Sequence, residues 1–257
     1  AALATTIAEY IGGFVLLFIL VRKKDLLTKP SFKQIIHANF APFFRGLKLG
    51  IPAAAEDFAW NLGNLLLIRI LNAISATAAG VYTIVFGIEV IPVCVFAALG
   101  QATLTLAGRE TGKGDLQQMR KIVITSFLWS MELATFFLVL FMAIPKPIMS
   151  MFTQDQAIIA SAAIYLAIVS INLYPKSGNI IIGSGIRGYG NTKWMLGTQL
   201  FGTVFIASMA ALFVFGFKIG ITGVFLAVCA DEFARCIINA WKLFKITKEK
   251  QVSSKAI

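Results

Sequence analysis

Charge is scarce in this sequence. Asp, Glu, Lys and Arg make up 14% of its 257 residues, where soluble globular chains carry about 25%. A soluble domain so poor in charge could not coat its own surface, so that class is excluded. Acids are the scarcer sign, 12 against 23 Lys and Arg. The resulting balance of +11 invites a nucleic-acid reading. The basic residues, however, fall in short clusters between apolar runs and leave no aqueous basic face. Histidine occurs once, at His37, which reads as a solvated loop residue, and one histidine cannot build a zinc protease site. Cysteine occurs three times. Cys94, Cys229 and Cys236 all sit in apolar sequence with no Cys-x-x-Cys spacing, so neither a disulfide framework nor a zinc signature is present, and they read as small packing groups.

What remains is apolar sequence: 58% hydrophobic residues and a mean hydropathy of +0.82. Intrinsic disorder needs the opposite composition, so the chain reads as an integral membrane protein. About 20 apolar residues cross the hydrocarbon. Seven stretches qualify: 2–21, 47–71, 78–106, 121–144, 157–182, 193–217 and 220–244. Open strands cannot satisfy their backbone groups in lipid, and the alternation of a membrane barrel is absent. The expected fold is therefore all-α, a polytopic membrane helix bundle with seven transmembrane helices. The sequence starts at Ala1 in apolar sequence, without the basic n-region of a secretory signal, so it is expected to start partway through a membrane protein.

Lys and Arg set the orientation. The connector after the first span holds Arg22, Lys23, Lys24, Lys29, Lys33, Arg45 and Lys48. Arg109, Lys113, Arg120 and Lys121 follow the third span, Arg187 and Lys193 the fifth, and Lys242, Lys245, Lys248, Lys250 and Lys255 the last. These lie on one side, and only Lys146 and Lys218 lie on the other, which predicts a cytoplasmic C-terminus in the plasma (inner) membrane. Basic clusters at that face also suit anionic lipid. The organisation follows: 1–21 is the last helix of an absent N-terminal lobe, 22–46 a cytoplasmic linker, 47–244 a six-helix C-terminal lobe, and 245–257 a cytoplasmic tail. Pro30 and Pro42 bracket Ser31–Phe40, a candidate short interfacial helix.

Seven of the acids fall inside spans: Glu9, Glu56, Asp57, Glu89, Glu132, Asp231 and Glu232. A charge at bilayer centre costs roughly 2.5–3.5 kcal/mol on insertion scales. An acid escapes that cost by facing a wet cavity, by ion pairing, or by staying protonated because burial disfavours its charged form. The first and last are what a cation- or proton-coupled transporter needs. Glu56 and Asp57 follow Pro52 by about one turn, and Glu89 precedes Pro92. Each proline frees a helix carbonyl, so polar chemistry concentrates there. Glu56, Asp57 and Glu89 are accordingly the candidate coupling residues. Replacing Glu56 with Gln is expected to stop transport and leave the fold intact. The bland alternatives are ion pairs: Arg69 with a neighbouring acid, or Asp231 and Glu232 with Arg235, which stands at i+4 and i+3 from them. Lys176, beside Pro175, either neutralises an acid across the bundle or snorkels to the interface.

Gly183-Ser184-Gly185-Ile186-Arg187-Gly188 fits Gly-x-Gly-x-x-Gly. The dinucleotide fingerprint needs a preceding strand and a following helix. Here the motif closes a membrane helix, and its glycines are expected to allow a turn and close helix packing.

Several segments, in order, resemble the multidrug and toxic compound extrusion (MATE) family of secondary transporters. Ala4–Ala8 resembles its sixth helix, and Gly50-Ile51-Pro52-Ala53-Ala54-Ala55-Glu56 the opening of its seventh. Ala78-Ala79-Gly80-Val81-Tyr82 with Ile88-Glu89-Val90-Ile91-Pro92 resembles the eighth, and Leu106–Asp115 the loop after it. Met151–Asp155 resembles the stretch before helix ten, and Gly185–Thr192 the turn between helices ten and eleven. The resemblance covers nearly the whole chain. It implies a parent of twelve helices in two lobes around a central cavity, with proton- or sodium-coupled export of organic, often cationic compounds by alternating access. Asn61, Tyr82, Asn172, Tyr174, Lys176 and Asn179 are then the candidate cavity-lining residues. No metal or organic cofactor is expected, only a coupling ion, H+ or Na+. The expected partners are a small-molecule substrate, membrane lipid and the other lobe. Two departures stand out: Gly108-Arg109 where the family usually has Gly-Gln, and Gly190-Asn191-Thr192 where it often has Gly-Asp-Thr. The tenth-helix span also lacks the acid that some members carry. Other readings are a lipid-linked oligosaccharide flippase of the same superfamily, a seven-helix receptor, and a membrane-embedded aspartyl enzyme using Asp57 and Asp231.

Overall fold

A computed structural model describes residues 2–22 and 40–254. The candidate interfacial helix (apart from Phe40), His37 and the end of the tail lie outside the described residues. Among the described residues there are eight α-helices: α1 (Ala2–Arg22), α2 (Ala41–Ile74), α3 (Ala76–Lys113), α4 (Leu116–Ala143), α5 (Pro145–Ser150), α6 (Gln156–Gly188), α7 (Thr192–Ala211) and α8 (Ile221–Ser254), with a π-turn at Leu212–Gly216 after α7. Two compact units divide after Leu47. The first contains α1, a 21-residue helix whose apolar side chains, among them Phe14 and Phe18, are exposed. Lipid chains are as apolar as such a surface.

The second unit runs from Lys48. Among the described residues, four helices are long and apolar enough to cross a membrane by length and composition: α3, α4, α6 from Ile158, and α7 with its π-turn to Gly216. These are four of the seven expected spans. The 34-residue helices α2 and α8 carry more charge. The helices also outrun the apolar stretches read from sequence. Arg109 and Lys113 belong to α3, Arg120 to α4, and Arg187 to α6. The loop around Lys146 contains the short helix α5, which Pro145 opens at a position where a missing N–H costs nothing.

Local sequence explains the helix ends. Ser75 caps α3 by accepting from the Ala78 N–H at 3.0 Å. Gly114 ends it in the left-handed region at φ 81°, where a side chain would be strained. Asp115 then caps α4 through the Gln118 N–H, 2.8 Å away. Asn191 caps α7 by accepting from the Trp194 N–H. Asn and Asp are equally good caps, so Asn191 is a conservative departure from the family pattern.

Helix α6 is central, packed against α3, α4 and α8. Its Gly-x-Gly-x-x-Gly segment is helical to Gly188. A side chain at Gly188 would stand 2.8 Å from the Leu104 carbonyl and 3.0 Å from the Gly108 N–H nitrogen, so backbones of α3 and α6 meet there. Close packing, not nucleotide binding, accounts for these glycines. Two apolar cores sandwich the middle of the unit. One joins Val85, Ile88, Leu166, Leu173 and Phe225. The other joins Met119, Val123, Ile186, Met195 and Leu243 nearer the Lys113 end.

Candidate functional site

Between the two cores lies a layer of polar side chains around two cavities. The larger is about 290 Å³ and is lined by Glu56, Asp57, Trp60, Glu89, Lys176, Asn179, Arg187, Gln199, Glu232, Arg235 and Asn239, with apolar neighbours. The smaller, about 40 Å³, is lined by Asn64, Tyr82, Thr203, Phe225 and Asp231 among others. Trp60, Phe86, Glu89, Lys176, Gln199, Glu232 and Arg235 line both, so the charged cluster is the wall between them. Helical periodicity places these groups. On α2, Glu56, Trp60, Gly63 and Leu67 recur at i, i+4, i+7 and i+11, one stripe of the helix. On α8, Glu232, Arg235 and Asn239 do the same at i, i+3 and i+7.

The charges are paired. The Arg187 guanidinium grips Glu56 with two hydrogen bonds, Nη2 to Oε1 at 2.6 Å and Nε to Oε2 at 3.2 Å. The fork geometry makes this one of the stronger ion-pair types. Lys176 donates to Glu89 Oε1 at 2.7 Å and stands 3.9 Å from Glu232 Oε1. Arg235 reaches Asp231 at 2.8 Å and Glu232 at 3.3 Å, and donates to the Gln199 side-chain oxygen at 2.9 Å. Asn179 donates to Glu232 Oε2 at 2.6 Å and to the Glu232 carbonyl at 2.9 Å, and accepts from Asn239 at 3.2 Å. Asn239 in turn accepts from the Trp194 ring N–H. Four carboxylates, Glu56, Glu89, Asp231 and Glu232, thus face three bases, Lys176, Arg187 and Arg235. Formally the network has room for one more positive charge. Among the described residues, no three His, Cys, Asp or Glu side chains converge to hold a metal ion.

The candidate residues separate. Glu56 and Glu89 are buried and line the larger cavity, and Asp57 is exposed on its edge. Lys176 and Asn179 line it as well. Tyr82 lines the smaller cavity, stacked on Phe86 with ring centroids 5.9 Å apart. Three candidates stand outside the lining of both cavities. Asn61 is exposed and donates to the Asp57 carbonyl, because it lies off the Glu56–Trp60 stripe, and Asn64 takes the cavity position instead. Tyr174 bonds Thr135 on α4 at 2.8 Å, two residues before Lys176 and so near the opposite side of α6. Asn172 is fully buried, and its side-chain amide has no hydrogen-bond partner among the described residues.

Of the ion-pair readings, Arg235 does hold Asp231 and Glu232, and Lys176 neutralises an acid across the bundle rather than snorkelling. Arg69 is exposed and makes no ion pair among the described residues. Gln199, Arg187, Trp60 and Asn239 were not among the candidates. The spacing of Glu232, Arg235 and Asn239 in apolar sequence was the available signal for Asn239. For Arg187 no signal was available, because its glycine-rich context reads as a turn.

A helix bundle with ionisable side chains lining cavities between apolar layers is the make-up of a multi-pass membrane transporter, in which intramembrane charges mark substrate and ion sites. The MatE family model matches residues 52–212, and the chain belongs to this family of membrane transporters. Two similar proteins are the uncharacterized transporter YisQ of Bacillus subtilis, 27% identical over 92% of this chain and 52% of its own length, and the probable multidrug resistance protein NorM of Thermotoga maritima, 23% identical over 93% and 51%. The chain spans about half the length of these curated relatives. A crystal structure of MATE in complex with MaL6 superposes with a TM-score of 0.87 over 96% of this chain and 56% of its own, at 13% identity, which shows the shared fold. Family membership sets aside the receptor and enzyme readings. The aspartyl pair also fails on geometry, since Asp57 is exposed and Asp231 is buried against Arg235.

Proposed function

We propose that this chain provides one lobe of a secondary efflux transporter that exports organic, often cationic compounds by antiport against protons or sodium ions. Residues 47–244 form that lobe, with 22–46 as linker to a second lobe and 1–21 as its last helix. Alternating access rocks one lobe against the other around the shared cavity. The observation that carries this reading is the charge layer, in which four buried carboxylates face three bases and all of these but Asp231 line the larger cavity. Such a layer gains a cation in one conformation and releases it in the other, which couples ion flow to shape. Glu56, Glu89 and the edge residue Asp57 are the coupling candidates, and Tyr82, Lys176 and Asn179 are the candidate substrate contacts. The Lys/Arg asymmetry supports a plasma-membrane protein with a cytoplasmic C-terminus. The test is accumulation of ethidium, a lipophilic cation, in cells expressing the two-lobe protein. The expected result is accumulation below the vector control, restored to control level by collapsing the ion gradient or by Glu89→Gln. Accumulation equal to the vector control would overturn the proposal.

A further inference from the structure

Lys176 is the most unusual charge in the layer, and its surroundings define what it does. Glu232 is fixed without it: Asn179 holds one carboxylate oxygen at 2.6 Å and Arg235 the other at 3.3 Å. Glu89 is not fixed in that way. Among the described residues its side-chain hydrogen bond is the one from Lys176, and its side chain is 4% exposed. Remove the ammonium and Glu89 becomes an uncompensated buried charge, which only a proton or another cation can relieve. The ammonium sits between the two carboxylates, 2.7 Å from Glu89 and 3.9 Å from Glu232. A bare monovalent ion would take that place, since hard cations are held by carboxylate oxygens.

We infer that the Lys176 ammonium is the built-in cation of the Glu89–Glu232 site, occupying the place of a free sodium ion, so that sodium does not couple through these two acids. This rests on the reading of Glu89 as a coupling residue. Lysine suits the role because its ammonium is a compact point charge on a flexible four-carbon stem. Being tethered, it cannot be released down a gradient. It can only part from Glu89, and a proton on Glu89 then balances the site. The consequence for the reaction is specific: Glu89 and Glu232 couple to protons, and sodium enters between them only if Lys176 is removed.

The experiment measures ion binding, so it is read separately from transport. The full chain, wild type and Lys176→Gln, is purified into lipid nanodiscs, and its thermal unfolding is followed in NaCl against choline chloride at equal ionic strength. Wild type is expected to melt at the same temperature in both. Lys176→Gln is expected to gain a sodium-dependent rise of roughly 5–10 °C at about a hundredfold excess over the dissociation constant, with matching saturable binding of radioactive sodium. The gain should vanish in Glu89→Gln/Lys176→Gln, where the acid that needs a cation is gone. Sodium stabilisation of the wild type that is lost in Glu89→Gln would overturn the inference, because sodium then binds beside the lysine. So would a Lys176→Gln chain that folds without any response to sodium. Failure of that variant to fold in both salts would overturn it as well, since sodium then cannot stand in for the ammonium. Folding in NaCl but not in choline chloride supports it. A transporter that exports nothing would refute the proposed function and leave these binding outcomes to be read on their own.

Discussion

Glu56→Gln tests how far the charge layer is also structural. From sequence, neutralising an acid inside a membrane should spare the fold, because it removes a costly charge. The structure reverses that expectation, since the charge has a partner. Gln cannot replace the forked Arg187 contact at 2.6 and 3.2 Å, and it strands a guanidinium. Removing one partner of a fully buried pair costs about 3–5 kcal/mol. Arg187 is 27% exposed on its side chain and opens on the cavity, so water recovers part of that, and about 2 kcal/mol is the expected loss. At roughly 2–4 °C per kcal/mol for a chain of this size, the melting temperature should fall by about 4–8 °C. The double variant Glu56→Gln/Arg187→Gln leaves no stranded charge and should recover most of the loss. The assay is a double-mutant cycle of thermal unfolding in nanodiscs, with a coupling of at least about 1 kcal/mol expected. Additive single and double values, within about 0.5 kcal/mol, would refute this and make the pair a contact of no energetic weight.

Three further substitutions probe the packing. Gly188→Ala should destabilise by about 1–3 kcal/mol, because its Cβ meets the Leu104 carbonyl and the Gly108 nitrogen. Gly112→Ala, on α3 with nothing within 4 Å, should be neutral or stabilise by up to about 1 kcal/mol; equal melting shifts for the two would contradict the close α3–α6 contact. Asn172→Leu should hold or raise the melting temperature, since it replaces a buried amide that has no partner among the described residues with an apolar group of similar size. A drop above about 2 kcal/mol would mean that the amide is satisfied in a way the structure does not record.

Hydropathy made the helical membrane class legible, because composition alone leaves few alternatives in lipid. Family motifs gave the order of the segments. Residue pairing was less accessible. Arg235 with Asp231 and Glu232 could be read because the three share one helix face, whereas Lys176 with Glu89 joins residues 87 positions apart, and nothing in the sequence states which helices adjoin. Arg187 was placed in a loop because three glycines in six residues resemble a turn. In membrane helices glycine instead permits close backbone approach, so α6 runs on and carries Arg187 to Glu56. Asn172 and Asn179 differ in depth, not in residue type: one meets an apolar core and the other a carboxylate.

The position of these pairs in the fold explains why activity and stability will be hard to separate by single substitutions. In lipid the hydrophobic effect does not hold helices to one another, so packing and interhelical polar contacts must. Here the polar contacts connect all five cavity helices. Glu56–Arg187 joins α2 to α6, Glu89–Lys176 joins α3 to α6, and Asn179–Glu232 joins α6 to α8. Gln199–Arg235 joins α7 to α8, and Thr203 donates to the Ala59 carbonyl at 2.9 Å, joining α2 to α7. The groups proposed to bind a proton or a substrate are therefore the same groups that fasten the lobe. On the proposed function, a proton arriving at Glu56 or Glu89 would release a base and loosen one link. That is a physical route from ion binding to a change of helix packing, and it requires no separate switch. It also means that only paired substitutions, which remove both charges of a link, can distinguish a residue that carries the ion from one that holds the helices.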